Sequence, residues 1–519
     1  MFGDLVWPAC ILALLLLCVP ALATTYYVSP TGSNSHSGES PQEAWRDLEP
    51  VNATVFSPGD RILLAAGSRY TGQLRPQGSG AEGKPIVIDM YGKGPKPRID
   101  GAGQVAATLL LYNVEYWEVS NLEITNSSAD PKPHTKGVRV HIEDFGTAHH
   151  IHLRNLYVHD ISGFGGHDDD GSGDGIYWLN EGRIVRSRFD GLVIEDCHVA
   201  DTHLNGIWGR SAYTNRRRWY PSLNVVIRGN LLERIGLHGL VPIGCDGVLV
   251  EYNVLKGAGV RHESCCGIWP WSCDNAVVQF NEASGVRGVR DGYSFDSDWN
   301  SRNSIFQYNY SHDNEMGFML VCTPRVRPGN VGCVGTVVRY NISENDGWGT
   351  RPALERRPST FFFGGDCRGT YVYGNTIYIG PKLDIHLVEH EDWNGGWSED
   401  SYFANNIFCV EGTARYDFGL SENNVFNTNL WFGKHIERPD DPNAITDDPL
   451  LTKPGAGGAI GDGRKLAGLD AYRLRKNSPA IDKGADLKSL FGLDMGKQDF
   501  YGAPIPKGKA HDLGAHERE

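Results

Sequence analysis

The sequence predicts an all-β solenoid of about ten or eleven stacked coils with a cap at each end. Three observations carry this reading. First, an asparagine or aspartate recurs at one place in a repeating unit: Asn155, Asp196, Asn230, Asn253, Asn281, Asn309, Asn341, Asn375 and Asn406, with Asn121 before them and Asn423 after. The nine are spaced 23 to 41 residues apart, with gaps of 23, 28 and 28 in the middle. Second, each sits between short runs rich in Val, Ile, Tyr and Thr, too short for a 3.6-residue helical period. Third, Gly is abundant at 64 residues, as turn-dense coils require. Leucine-rich repeats need dense Leu at fixed offsets, and a propeller would show more even spacing. Asn tolerates a tight left-handed bend, and its amide can both donate to and accept from neighbouring coils. Asn230, Asn253, Asn281, Asn309, Asn341 and Asn375 are therefore expected to stack as one ladder.

On these repeats, the chain over roughly residues 85 to 430 resembles the right-handed parallel β-helix of the pectate-lyase-like superfamily. The order of elements agrees. Residues 1–23 read as a signal peptide, with an apolar core from Ile11 to Val19 and an Ala21-Leu22-Ala23 cleavage site, although Asp4 replaces the usual basic residues. The run is too short to span a bilayer, so the chain is expected to be secreted, extracellular or periplasmic. Residues 24–84 resemble the N-terminal cap of secreted bacterial β-helix proteins, with a helix expected over Pro41 to Leu48. Residues 85–430 are the coils. Residues 431–519 are less regular and read as a closing segment covering the apolar end of the stack. No Ser/Gly-rich linker marks a second folding unit, and a monomer is expected.

Composition narrows the partners. A net charge of −14 argues against nucleic acid. Nine cysteines follow the leader, an odd number without zinc-site spacing, so they read mainly as buried thiols with room for one or two bridges. Cys245, Cys265, Cys266, Cys273 and Cys322 are the cluster that could staple loops. Thirteen Trp make the chain rich in rings, and rings suit the C–H faces of sugars.

A second alignment, on Gly175, Gly206, Gly239, Gly267, Gly292 and Gly317, sets out one sheet. Strand alternation then gives one outward column of Tyr177, Trp208, Val241, Trp269, Ser294 and Met319. A second column reads Leu179, Arg210, Ile243, Trp271, Asp296 and Val321. Tyr177, Trp208, Trp269 and Trp271 form an aromatic strip for a polysaccharide or oligosaccharide, and Arg210 is placed to hold an acidic sugar. Asp296 and Asp298, two residues apart on one face, can divide acid and base roles, with Asp291 at the strand entry. His238 falls beside them, to orient a carboxylate or bond a hydroxyl. The set resembles that of β-helical glycoside hydrolases, although the polygalacturonase stretches NTDG, GHG and RIK are absent. The resemblance implies a glycoside hydrolase acting on a plant or algal polysaccharide. The alternatives are a polysaccharide lyase, for which Arg210, Arg290 and Arg216 to Arg218 would neutralise a uronate, and a non-catalytic adhesin. No cofactor and no metal is expected; the loop His167 to Asp170 with Asp174 is the candidate for calcium. A polar stretch from Asp384 to Asp392 can reach the same groove from a late coil.

Overall fold

The computed structural model describes residues 23–132, 134–165 and 172–519. The proposed leader and His167 to Asp170 lie outside the described residues. Every pairing between named strands is parallel, and non-consecutive strands pair throughout, as in a chain that winds round and returns one layer on. The protein is a parallel β-helix.

Its interior follows from strand alternation. One column can be followed without a break through Ile62, Ile88, Val119, Leu153, Ile194, Ile227, Val250, Val278, Phe306, Val338, Val372, Phe403 and Phe426, each paired with the next. All are buried. No coil can cover its own apolar face; the neighbours on either side do so. The column starts at Ile62, and Thr25–Val28 and Arg61–Ala65 already pair as parallel strands. The sheet thus begins within the segment read as a cap. The helix expected over Pro41 to Leu48 is a single 3-10 turn, Pro41–Glu43, followed by a short helix, Glu49–Ala53, with a proline in its first turn.

The asparagine ladder forms. The side-chain amide of Asn230 donates to Oδ1 of Asn253 at 2.9 Å, and the relay continues through Asn281, Asn309, Asn341, Asn375, Asn406 and Asn429 at 2.9–3.0 Å. Asn429 ends it on the carboxylate of Asp441. Each amide also donates to a carbonyl of the preceding coil, such as Asn281 to Val250 O at 3.0 Å, and each Oδ1 also accepts the previous Asn's backbone N–H. A buried amide with all its partners in place costs little and fixes the bend. The earlier and later members of the sequence set fall elsewhere. Asn121 and Asn155 sit one residue before the ladder position and bond to each other at 2.6 Å. Cys197, not Asp196, donates its backbone N–H to Asn230. Asn423 bonds Asp400 outside the ladder. The sequence pattern "apolar–Asn–apolar" cannot distinguish a residue inside the bend from its exposed neighbour.

Residues 451–519 do more than close an end. Leu466, Tyr472, Leu474, Leu487, Phe500 and Leu513 pack on Tyr308, Tyr340, Tyr373 and Leu430 along the side of the stack. The strap reaches back to Glu282, which accepts the N–H groups of Ile460 and Gly461 at 2.8 and 2.6 Å. All nine described cysteines are buried free thiols. Among the described residues no helix is long and apolar enough to cross a membrane.

Asn281→Ala should lower stability by about 1–3 kcal/mol, the cost of leaving buried donors and acceptors unpaired. Asn423→Ala, outside the ladder, should change it by less than about 0.5 kcal/mol. Urea midpoints of the two variants would check the difference.

Candidate active site

Glycine builds the face on which the site stands. At Gly175, Gly206 and Gly267 two successive N–H groups both bond forward to the next coil. Gly206 donates to His238 O and Ile207 to Gly239 O, each at 3.0 Å. This local bulge brings the coils so close that a Cβ on Gly206 would lie 2.6 Å from Gly239 O, and one on Gly267 2.5 Å from Ser294 O. A real Cβ does not fit there. The next coil breaks the glycine column: its member is Ser294, while Gly292 lies two residues earlier at φ 132°.

That substitution corrects the register read from sequence. Ile268 pairs with Phe295, not Tyr293. The outward columns therefore read Trp208, Val241, Trp269, Asp296, Leu320, Phe362 and Arg210, Ile243, Trp271, Asp298, Cys322, Gly364. Ser294 turns inward and bonds Ser311 at 2.6 Å, and Met319 joins the core. Asp296 thus stands one coil from Trp269, and Asp298 one coil from Trp271.

These residues open on a cavity of about 610 Å³. Its walls include Trp208, Trp269, Trp271, Trp299, Phe362 and Trp393, with Arg210, Arg290, Arg356, Glu391 and Asp392 among the polar groups. Trp208 stacks on the His238 ring (5.5 Å, 21°), and Trp269 meets both edge-on at 6.1 and 5.0 Å. Trp269 is only 6% exposed, so it is the packed back wall of the cavity rather than an open platform. Trp208 and Trp271 are half-buried. His238 is buried; its Nδ1 accepts the Cys266 N–H at 3.1 Å, which places its proton on Nε2. It braces Trp208.

Tyr177 does not line the cavity: it is buried under the Lys136 ammonium, 4.5 Å from the ring centroid. Asp174, offered for calcium, is also buried, 3.6 Å from Lys136. Arg216 is held by Asp274 at 2.8 Å, away from the cavity lining. The late-coil stretch does reach the cavity, through Glu391, Asp392 and the unforeseen Trp393. Arg356 and Phe362 were also missed. The guanidinium lies 3.9 Å from that ring, a flat cation on a flat face, yet the two come from different parts of the coil and share no sequence signature.

Three carboxyls come together here. Asp291, half-buried, accepts the Ser264 hydroxyl at 3.0 Å. Asp298, also half-buried, accepts the Trp299 N–H at 2.5 Å and the Cys322 thiol at 3.2 Å. Asp296 is 2% exposed. Oxygens of Asp296 and Asp298 and the sulfur of Cys322 lie within 4.8 Å of one another. Burial, then the charges of Asp298 and Asp291, push the Asp296 carboxyl well above the usual carboxylate range. Burial likewise raises the Cys266 and Cys322 thiols, which remain protonated donors.

Comparison with known proteins places this geometry. No family model matches the chain. A lacto-N-biosidase from Bifidobacterium longum subsp. longum is 28% identical over 96% of the chain, which spans only 36% of that relative's length. The crystal structure of the GH136 lacto-N-biosidase from Eubacterium ramulus superposes with a TM-score of 0.57 at 26% identity, covering 71% of this chain and 67% of that one. XylC in complex with xylose, at 12% identity and a TM-score of 0.50 over 96% of this chain and 99% of its own, shares the fold. The similarity in sequence and the strongest of these structural matches both fall on glycoside hydrolases.

The raised Asp296 makes a stability prediction. The folded state holds its proton above the pH at which the unfolded chain releases it, so this group weakens the fold as pH rises through that interval. Asp296→Asn should therefore raise Tm at pH 7 relative to the parent, and the gain should vanish near pH 3, where both states are protonated.

Proposed function

We propose that this chain is a secreted glycoside hydrolase of lacto-N-biosidase type, cleaving a glycosidic bond to a lacto-N-biose unit of an oligosaccharide. The observation that carries the reading is the carboxyl set Asp291, Asp296 and Asp298 opening into a tryptophan-walled cavity. Similarity to the two lacto-N-biosidases directs the substrate there, away from the plant or algal polysaccharide expected from sequence.

Hydrolysis needs one carboxyl to protonate the leaving oxygen and another, ionised, to face the positive charge that grows on the anomeric carbon. Asp291 and Asp298 are the two with surface open to the cavity. Asp298, fed by two hydrogen-bond donors, suits the ionised role; Asp291 supplies the proton. The C–O bond breaks with the pair of electrons on the leaving oxygen. Water then adds its hydroxyl to the sugar and restores the proton to the acid. Trp271 and Trp208 offer faces for sugar rings, and Arg210, Arg290 and Arg356 offer donors for hydroxyl and carbonyl oxygens.

Incubation with a chromogenic aryl glycoside of lacto-N-biose and with oligosaccharides ending in that unit should release the disaccharide without a rise in ultraviolet absorbance. A rise would mark elimination and a lyase. Disaccharide release from neither substrate would reject the substrate assignment. Asp298→Asn should lower turnover by ~10² or more with Tm preserved. Trp271→Ala should weaken binding by roughly 1–3 kcal/mol, read from inhibition by the product disaccharide.

A further inference from the structure

We propose that Asp296 is a positioning residue that keeps its proton throughout the reaction, and that its neutral carboxyl allows Asp298 to be ionised beside it. This rests on the glycosidase reading above. The geometry is that of a nearly covered group in the cavity wall, between two more open ones. Asp296 stands in the outward column between Trp269 and Leu320, its exposure is 2%, and an oxygen of Asp298 lies within 4.8 Å. A proton donor to a glycosidic oxygen must touch that oxygen, and Asp296 has almost no surface with which to do so.

The groups facing it are uniform in sign. Asp291 and Asp298 flank it on its own stretch, Cys266 approaches from the preceding coil, and Cys322 from the following one at 3.9 Å. Cys333 and Cys367 lie nearby in the interior. None of these supplies a positive charge. The cations of the cavity are Arg210, Arg290 and Arg356, and among the described residues Asp296 forms an ion pair with none of them. With Asp298 ionised, a second charge is costliest on the most buried carboxyl, so Asp296 keeps its own proton apart from the one that Asp291 transfers. Its shift in proton affinity agrees. Two acids remain with access to substrate, which is the number that hydrolysis uses. The third is the neutral spacer between the proton donor and the ionised carboxyl.

An amide has nearly the shape of a neutral carboxyl, so the test compares Asp296→Asn, Asp296→Ala, Asp291→Asn and Asp298→Asn. Each is assayed on an oligosaccharide and on an aryl glycoside whose leaving group needs no protonation. Asp296→Asn is expected to keep turnover within about tenfold of the parent on both substrates, with both limbs of the bell-shaped pH profile present. Asp296→Ala, which cannot accept the Cys322 thiol and leaves a gap in the wall, should fall further on both. A loss of ~10² or more in Asp296→Asn on the oligosaccharide, with the aryl glycoside spared and the alkaline limb gone, would make Asp296 the acid and overturn the proposal. So would an equal loss of that size on both substrates. Infrared spectra at neutral pH give a check free of turnover: the difference between the unaltered protein and Asp296→Asn should contain a protonated-carboxyl band, and its absence would count against the proposal. Full turnover in Asp298→Asn, by contrast, would reject the site reading itself.

Discussion

Everything in this molecule depends on a backbone that returns to the same place one strand spacing further on, about 4.8 Å. The asparagine relay from Asn230 to Asn429 holds that step. Each side chain bonds forward to the next asparagine and back to a carbonyl, so no coil can tilt or slip without breaking buried hydrogen bonds on both sides. The apolar column from Ile62 to Phe426 supplies the driving force but, being non-directional, could tolerate a slip that the amides do not. Wherever the relay fixes the bend, the face across the coil inherits its register.

On that opposite face, the carboxyl cluster is a consequence of one departure from repetition. Five coils, from Gly137 to Gly267, place glycine where the next coil's carbonyl presses in, and the sixth places Ser294. From that serine the count runs to Phe295 in the core, Asp296 in the back of the cavity and Asp298 at its surface. The tryptophans one coil earlier, Trp269 and Trp271, keep the same count from Gly267. Acid and ring meet because two adjacent coils share a frame. Trp269 on one side and Leu320 on the other then set the three carboxyls apart by burial, leaving Asp296 nearly covered and two more open.

The fold was legible in the sequence because repetition is a one-dimensional signal: the asparagines and β-branched runs state a period, and a period of this kind has few physical solutions. The aromatic residues and aspartates of the site were legible as residue types for the same reason. Their frame was not. Asp291-Gly292 matches Asp174-Gly175 in its letters, yet backbone crowding, invisible in those letters, picks Ser294 instead. Burial was also hidden. Tyr177 and Trp269 occupy outward positions and are still covered, one by the ammonium of Lys136 and the other by neighbouring rings. Arg356 and Trp393 come from excursions of later coils and Phe362 from a later strand of the same column, and only the folded chain brings them to the cavity.

The proposed function puts the sugar on Trp271 with its scissile bond between Asp291 and Asp298. A crystal structure of Asp298→Asn with an intact oligosaccharide tests it most directly. The account predicts a sugar ring on the Trp271 face and the bridging oxygen within hydrogen-bond reach of Asp291, with Asp296 touching protein atoms alone. An oligosaccharide seated instead at Glu391 and Asp392, or a bridging oxygen bonded to Asp296, would contradict it.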